Sequence, residues 1–383
     1  MKIIYIYHNI LWAKYKASVF SKLYELSLIN NEKIKFLQIA ETEFDRSKLS
    51  GVDMSYHNYP FELLFKGAYG AIPRSKLIIK LFCSVWQKKA DLILLPGFHS
   101  TEYWAMLLAA VLRGKKRAVF CDSTIYDHQQ TFIKGLLKRI FFLFCDGFFV
   151  YGIRARSYVI HYGARPNKVF YRCQAAALPK DYSADLAFKK RMQHAPTSDA
   201  TRFLYVGRLS HEKSLDILIH AFLKVRINLP DASLIIVGEG SQGQVLKNMV
   251  SSLGLTDAVL FSGSMDTLAL AIEYAKASCL VLPSFSEPWG LVVNEALSYG
   301  CPVVVSNRCG CIPELVENQP TGFVFEAQNI DDLANKLLSV PAAFADVEKT
   351  ARECIKLISN YNPSVAAEEI LSGCKQILDS KLK

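Results

Sequence analysis

Residues 284–296 read Ser284-Phe-Ser-Glu287-Pro-Trp289-Gly290-Leu291-Val-Val-Asn-Glu295-Ala296. Just before them stands the apolar run Cys279-Leu-Val-Leu-Pro283. Its length and composition are those of a buried parallel strand. From Gly290 to Tyr299 the pattern becomes helical, and Gly300 with Pro302 beyond it supplies the stop. Glu287 therefore falls in the loop at the carboxyl end of a strand, and Glu295 in the helix that follows. In open α/β sheets that loop is where ligands bind. Two carboxylates there can accept hydrogen bonds from a polyhydroxylated ligand, a sugar or a ribose.

The same alternation extends in both directions. Downstream of Ala200 it gives strands Phe203–Val206, Ser233–Val237, Val259–Phe261 and Leu280–Leu282, with helices Leu215–Arg226, Gln244–Leu253 and Thr267–Ala275 between them. Upstream, strand patterns fall at Ile3–Tyr7, Ile34–Ile39, Leu92–Leu95, Ala118–Phe120, Gly147–Tyr151 and Val169–Tyr171. Helical patterns at Val19–Ile29, Leu77–Gln87 and Glu102–Leu112 separate them. Repeated βαβ units mean parallel sheets. A chain of 383 residues exceeds one ordinary core. The expected organisation is a first Rossmann-like domain over 1–175, a linker over 176–200 rich in Ala, Pro, Ser, Asp and Lys, and a second Rossmann-like domain over 201–362. A last helix, Val365 to Leu378, follows Asn362-Pro363.

Charge is distributed unevenly. Residues 1–180 hold 27 Lys and Arg against 12 Asp and Glu, and residues 181–383 hold 18 against 23, which together give the net +10. The basic half calls for an anionic partner: a membrane surface, a phosphorylated acceptor or a nucleic acid. No apolar run reaches the roughly 18–20 residues of a spanning helix. The longest, Ile140 to Tyr151, is broken by Asp146 and Gly147. The apolar start, Met1 to Tyr7, is read as a first strand because His8 and Asn9 interrupt it. The ten cysteines lack paired metal-site spacing; the nearest pair is a lone Cys309-x-Cys311. They are expected to be free thiols in a reducing compartment.

The Glu287–Glu295 segment resembles the retaining nucleotide-sugar transferases of glycosyltransferase family 4, whose signature is two glutamates with seven residues between them. Tyr205-Val-Gly207-Arg208-Leu-Ser-His-Glu-Lys213 is similar to the family's phosphate-binding loop. So are Gly300-Cys-Pro-Val-Val-Val-Ser-Asn, Gly310, Pro313-Glu314 and Thr321-Gly-Phe to later family motifs. The resemblance is ordered from about 200 to 335 and diffuse before 180. It implies the GT-B fold, two Rossmann-like domains facing each other across a cleft, with the last helix (363–383) completing the first domain.

Function follows by the same route. The resemblance implies a retaining glycosyltransferase moving a hexose-type sugar from a UDP- or GDP-sugar to a hydroxyl of a glycan acceptor, polyprenyl-linked, in surface polysaccharide synthesis. It implies a cytoplasmic enzyme, peripheral at the inner face of a membrane, with no nucleic-acid partner. Two readings compete with it: a GT-B transferase for a small soluble acceptor, and a catalytically silent nucleotide-sugar binder.

Residue by residue, the resemblance assigns Arg208 and Lys213 to the donor diphosphate, with the Gly207 backbone beside it. Cations at a strand end near a helix start suit an anion in any case. Many relatives have glycine after the lysine; here it is Ser214. There is no Asp-x-Asp in the chain, so no metal or other cofactor is expected and the two cations are expected to stabilise the leaving group. Glu295 is assigned to the ribose, Glu287 to the transferred sugar, and the backbone near Trp289, Gly290 and Leu291 to sugar or phosphate. The base is expected near Gly263 and Pro283. Gly238-Glu-Gly-Ser-Gln-Gly243 matches G-x-G-x-x-G, yet it follows the second strand of its domain rather than the first. It is read as a tight turn near the donor and not as a dinucleotide site.

On the acceptor side the family's Gly-Gly loop after the first strand is missing; the stretch runs Tyr7-His8-Asn-Ile-Leu-Trp-Ala-Lys14. Where relatives carry a functional histidine, this chain has Asp122, with His128 nearby. Asp122 is expected to orient the acceptor hydroxyl or take its proton. His8, His99 and His128 are further candidates. For a membrane surface, the sequence offers Lys134, Lys138 and Arg139 within Phe132–Leu143, or the Arg113–Arg117 cluster. The competing reading of Phe132–Leu143 is a crossover helix with its apolar face on the sheet.

Overall fold

The structure, a computed structural model, describes residues 2–43, 51–127, 131–196 and 201–380. They form two units. The first takes residues up to Ile125, the stretch 131–177 and the chain from Asn362 onward; the second takes Leu178–Tyr361 with Tyr126 and Asp127.

In the first unit the elements run β1 (Ile3–Ile10), α1 (Lys14–Ile29), β2 (Lys33–Ala40), β3 (Phe61–Leu63), α2 (Arg74–Gln87), β4 (Leu92–Leu95) and α3 (Thr101–Leu112). Then come β5 (Lys116–Cys121), α4 (Phe132–Leu143), β6 (Gly147–Val150), α5 (Ile153–His161) and β7 (Val169–Phe170). The strands make one parallel sheet in the order β3-β2-β1-β4-β5-β6-β7. Alternation along β1 decides which residues meet which layer. Tyr5 and Tyr7 share a core with the inner faces of α2, α3, α4 and α5. Ile4 and Ile6 face the other way, onto α1 and the last helix.

The second unit runs α6 (Ala184–His194), β8 (Arg202–Val206), α7 (Leu215–Asn228), β9 (Ser233–Val237), α8 (Gly243–Ser252), β10 (Val259–Gly263), α9 (Thr267–Lys276) and β11 (Cys279–Leu282). It continues with α10 (Leu291–Ser298), β12 (Val303–Ser306), α11 (Ile312–Leu315), β13 (Gly322–Phe325), α12 (Ile330–Ala343) and α13 (Val347–Ile358). Its sheet is also parallel, ordered β10-β9-β8-β11-β12-β13. The strand order reverses between β8 and β11, which makes the loops leaving those two strands the switch point of the sheet.

The chain closes on α14 (Pro363–Asp379), which belongs to the first unit. Asn362 caps it, its Oδ1 accepting from the amides of Ser364 and Val365 at 2.9 and 3.1 Å. Two glycines let it lie close on the sheet. A Cβ on Gly147 would overlap the Ile377 side chain, and one on Gly373 would meet Phe149 at 2.6 Å. At its far end Lys116 Nζ donates to the carbonyls of Ile377, Leu378 and Ser380. A buried ammonium there satisfies carbonyls that a helix end leaves without partners.

Three sequence expectations are revised. The stretch 176–200, read as a linker, contains α6, which Ser183 caps by accepting from Leu186 N at 3.2 Å. Its polar composition hid a helix anchored by Arg191, a residue 2% exposed whose guanidinium donates to the carbonyls of Ala275 and Ala277 at 2.8 and 2.6 Å. The Arg113–Arg117 cluster is mostly consumed inside the unit. Lys115 donates to the carbonyls of Val85 and Lys88, Lys116 holds α14, and Arg117 donates to Phe144 O and Lys115 O. Finally, α4 does not turn its whole apolar surface to the sheet: only Phe141 and Phe142 are buried.

Candidate functional site

The second unit gathers its candidate residues on the loops that leave β8, β9, β10 and β11. After β8 the chain passes Gly207 and Arg208, makes a 3-10 turn over His211–Lys213 and enters α7 through Ser214. Ser214 occupies the left-handed region at φ 50°, a conformation normally left to glycine. It is 2% exposed, and its hydroxyl accepts from Gln328 Nε2 at 2.6 Å. The departure from glycine thus leaves the glycine-type backbone in place, held from the side.

The loop after β11 lies directly against this turn. Phe285 N donates to Glu212 O at 3.0 Å, and the Phe285 and His211 rings meet edge-on at 5.5 Å. The result is an ion pair between Lys213 and Glu287, residues 74 positions apart, with both side chains 14% exposed. Ser284 Oγ lies 3.5 Å from the same Glu287 oxygen. Behind Glu287, the backbone is braced by the turn after β12: Gly310 N donates to Glu287 O at 2.9 Å and Cys311 N to Trp289 O at 3.1 Å. Gly310 is required there, since any Cβ would overlap Pro288 O.

Gly290 begins α10 at φ 97°. Leu291 is the first residue of that helix. The Trp289 side chain does not face outward. It is 3% exposed, and its indole N–H donates to Asn294 Oδ1 at 2.8 Å. One helical turn on, Glu295 Oε2 accepts from Tyr274 OH at 2.7 Å. Burial pushes the Glu295 carboxyl up to about 7, and the Tyr274 hydrogen bond works against that rise. Tyr274 stacks on Tyr299 at 5.9 Å, so the partner of this carboxylate is itself fixed.

The glycines of Gly238-Glu-Gly240 have a local purpose. A Cβ on Gly238 would overlap Gly207 O, and one on Gly240 would overlap Leu209 O. The two loops are laced by Leu209 N to Glu239 O and Gln242 N to Leu209 O, at 3.0 and 2.8 Å. Gly238 N also donates to Gly263 O at 2.8 Å, which brings the end of β10 into the group. The motif is a backbone junction between neighbouring strand ends. Arg208 stands at its edge, its side chain 55% exposed and 3.4 Å from Glu212. Pro283 leads from β11 into the Glu287 loop.

In the first unit the candidates sit apart in character. Asp122 is exposed at the end of β5, and His99 is exposed in the loop after β4 with its ring edge-on to Tyr103 at 5.4 Å. His8 lies on β1, and its Nδ1 donates to Gln38 Oε1 at 3.2 Å. Burial, then the nearby Lys16 cation, push its pKa down to about 3, so it is neutral at any physiological pH. His128 lies outside the described residues. Sequence reasoning passed over Lys16, 3% exposed on α1, with its ammonium over the rings of Phe120 and Tyr151 at 4.7 and 4.8 Å. It also passed over Tyr274 and Asn294, the partners of Glu295 and Trp289. Asn294 lies inside the 284–296 segment without a role read for it; no motif marks Lys16 or Tyr274, which act through neighbours brought close by the fold.

Residues 187–353 match the model of the glycosyl transferases group 1 family. A glycogen synthase from Mycobacterium tuberculosis is 35% identical over 170 residues, 44% of this chain and 40% of that protein. The chain spans less than half the length of the curated relatives it matches. Among solved structures, the lipopolysaccharide outer core galactosyltransferase WaaB in its apo form superposes with a TM-score of 0.71 at 15% identity, covering 98% of this chain and 99% of the other. Anabaena Alr3699/HepE in complex with UDP gives 0.71 at 17% identity, covering 98% and 100%. The chain therefore has the fold of the GT-B glycosyltransferases, and over residues 187–353 it is similar to the glycosyl transferases of group 1.

Proposed function

We propose that the chain is a retaining, metal-independent glycosyltransferase that moves a hexose-type sugar from a nucleotide sugar to a hydroxyl of a glycan acceptor. The observation that carries this reading is the Glu287–Lys213 pair, set on the two loops that flank the switch point. A carboxylate and an ammonium held together there suit the two halves of a sugar diphosphate. Lys213, with Arg208, carries the charge that grows on the departing diphosphate, where removing one such group costs about 3–4 kcal/mol. Glu287 accepts from sugar hydroxyls and faces the positive charge that develops at the anomeric carbon. Glu295, half-buried on α10, accepts from the ribose. The backbone of Gly207, Gly238, Gly263, Gly290 and Leu291, with Pro283, surrounds the donor.

A UDP-sugar is the donor to try first, since Anabaena Alr3699/HepE, of the same fold, is solved in complex with UDP and with UDP-glucose. On the acceptor side Asp122 is assigned to the incoming hydroxyl. The acceptor is assigned as lipid-linked, reached by an enzyme that works peripherally at the cytoplasmic face of a membrane. The test begins with calorimetric titration of UDP, GDP, ADP and CDP. It continues with hydrolysis of the matching nucleotide sugar in EDTA. Micromolar binding of one nucleotide and slow hydrolysis that is lost in Glu287→Ala are expected. Binding without any hydrolysis or transfer would leave a silent nucleotide-sugar binder. Activity that vanishes in EDTA and returns with manganese would refute metal independence.

A further inference from the structure

Helices α2, α3 and α4 lie side by side on one face of the first sheet, their inner residues sharing a single core. A helix in that position is expected to turn polar residues to water. On α4 the reverse holds. Phe132 is 86% exposed, Ile133 71% and Leu143 79%, and Leu136, Leu137 and Ile140 lie between them, also exposed. At 100° per residue these six positions fall within one continuous outward stripe. The inward side is supplied by Phe141 and Phe142, with Trp104 of α3 against Phe141 at 5.1 Å. Thus α4 is apolar on both sides. Lys134 and Arg139 are exposed on the same helix, Arg139 bordering the stripe and Lys134 in the first turn about 60° beyond its other edge. Lys138, by contrast, is tucked over the rings of Tyr158 and Tyr162 at 5.1 and 4.7 Å.

Two other helices on that face of the sheet also expose apolar side chains. Leu108 and Leu112 of α3 are 52% and 60% exposed, and Ile79 of α2 is 64% exposed. Neither α2 nor α4 contains a carboxylate. The single one on α3, Glu102, is 3% exposed and accepts from Tyr69 OH at 2.7 Å. An apolar stripe of this length, rimmed by cations and free of exposed acid, fits one kind of partner.

We infer that the outward stripe of α4, flanked by α3 and α2, seats the first unit on an anionic lipid bilayer. The helix lies in the plane of the interface, with Phe132, Leu136 and Leu143 entering the acyl boundary and Lys134 and Arg139 among the headgroups. A second copy of the chain is a poorer occupant. A two-fold contact through this face would gather the Lys134 and Arg139 cations of both copies in one interface, with no exposed carboxylate on α2, α3 or α4 to pair them. The inference rests on the peripheral membrane placement proposed above and deepens it by naming the surface; donor binding measured on the same samples reports separately on the proposed activity.

The full chain is to be sedimented with vesicles of phosphatidylcholine, with and without phosphatidylglycerol, at low and high salt. Binding to the anionic vesicles that falls as salt rises is expected, because the charges are screened within about 10 Å at 0.1 M. The combined Phe132→Ser, Leu136→Ser and Leu143→Ser variant should lose binding by tenfold or more. Lys134→Glu with Arg139→Glu should abolish the preference for anionic lipid. All five positions are exposed, so the unfolding midpoint and UDP affinity should stay as in the parent chain. Failure of the parent chain to bind anionic vesicles at low salt would overturn the inference. So would unaltered binding in both variants, or a parent dimer that the serine variant dissociates without any vesicle binding.

Discussion

Lys213 and Glu287 are joined in an ion pair although 74 residues separate them, and each is only 14% exposed. The pair fastens the loop after β8 to the loop after β11. Because the two groups hold each other, substitutions at them will not be independent. Glu287→Ala should abolish transfer while UDP affinity changes by less than about threefold. Lys213→Ala and Arg208→Ala should each lower turnover by about 10²–10³, the loss expected for one charge on a departing diphosphate. The Lys213→Ala, Glu287→Ala double variant should lose far less stability than the sum of the singles. Steady-state rates with EDTA present check the three single variants and urea unfolding checks the pair; additive stability losses would show that the pair does not act as a unit.

The link between Ser214 and Gln328 gives a stability prediction. A non-glycine residue in the left-handed region costs about 1–2 kcal/mol, while a typical hydrogen bond returns about 0.5–1.5 kcal/mol. Ser214→Gly removes both terms and should shift stability by less than about 1 kcal/mol. Ser214→Ala keeps the backbone cost and loses the bond, so it should destabilise by about 1 kcal/mol or more. Urea unfolding of the three proteins decides; a glycine variant as unstable as the alanine one would refute the compensation.

Glu295 should make nucleotide binding depend on pH. Its folded pKa, about 7, lies above the ordinary carboxylate value. A ribose donates hydrogen bonds to the ionised form, so affinity should rise as pH increases through 7, with protons released on binding below that point. The same shift acts on stability with the opposite sense. The folded chain holds this proton more tightly than the unfolded one, so the contribution is full below about pH 4 and is lost as pH rises toward 7. Tyr274→Phe removes the bond that favours the carboxylate and should move the midpoint upward. Calorimetry in buffers of different ionisation enthalpy measures the proton count; pH-independent affinity between 6 and 8 would exclude this role.

Gly240→Ala tests the backbone junction. The added methyl would overlap Leu209 O, and a carbonyl in a laced loop has little room to retreat. A loss of about 1–3 kcal/mol is expected, as for other overpacked positions, together with weaker UDP binding. Thermal melting and UDP titration provide the check, and an unperturbed variant would show that the two loops are not in contact.

The sequence announced the second sheet well because its signals are local. An apolar run, a short turn, a helical period and a Gly-Pro stop all lie within 279–302, and the structure has β11 and α10 there. The residues that tune the site were not legible in the same way. Tyr274 reaches Glu295 from another helix, and Gln328 reaches Ser214 from 114 positions away. The cations of 115–117 misled for a related reason. Composition shows that a lysine is present but not that two helix ends elsewhere in the chain need its protons. For α4 the sequence leaves two readings open, a membrane face and a crossover helix, because apolar residues all round a helix do not say which half meets water.

The seating of α14 has a consequence for how the chain is made. The first sheet is covered on one side by a helix whose residues are synthesised only after the entire second unit, and Lys116 finds its carbonyl partners there. As the chain leaves the ribosome, the second unit has all its strands available while the earlier unit still exposes Phe149 and Phe170. Order of synthesis and order of completion are thus reversed: of the two units, the one translated first is the one completed last, and until α14 arrives its partly open hydrophobic face is exposed to chaperones and to aggregation.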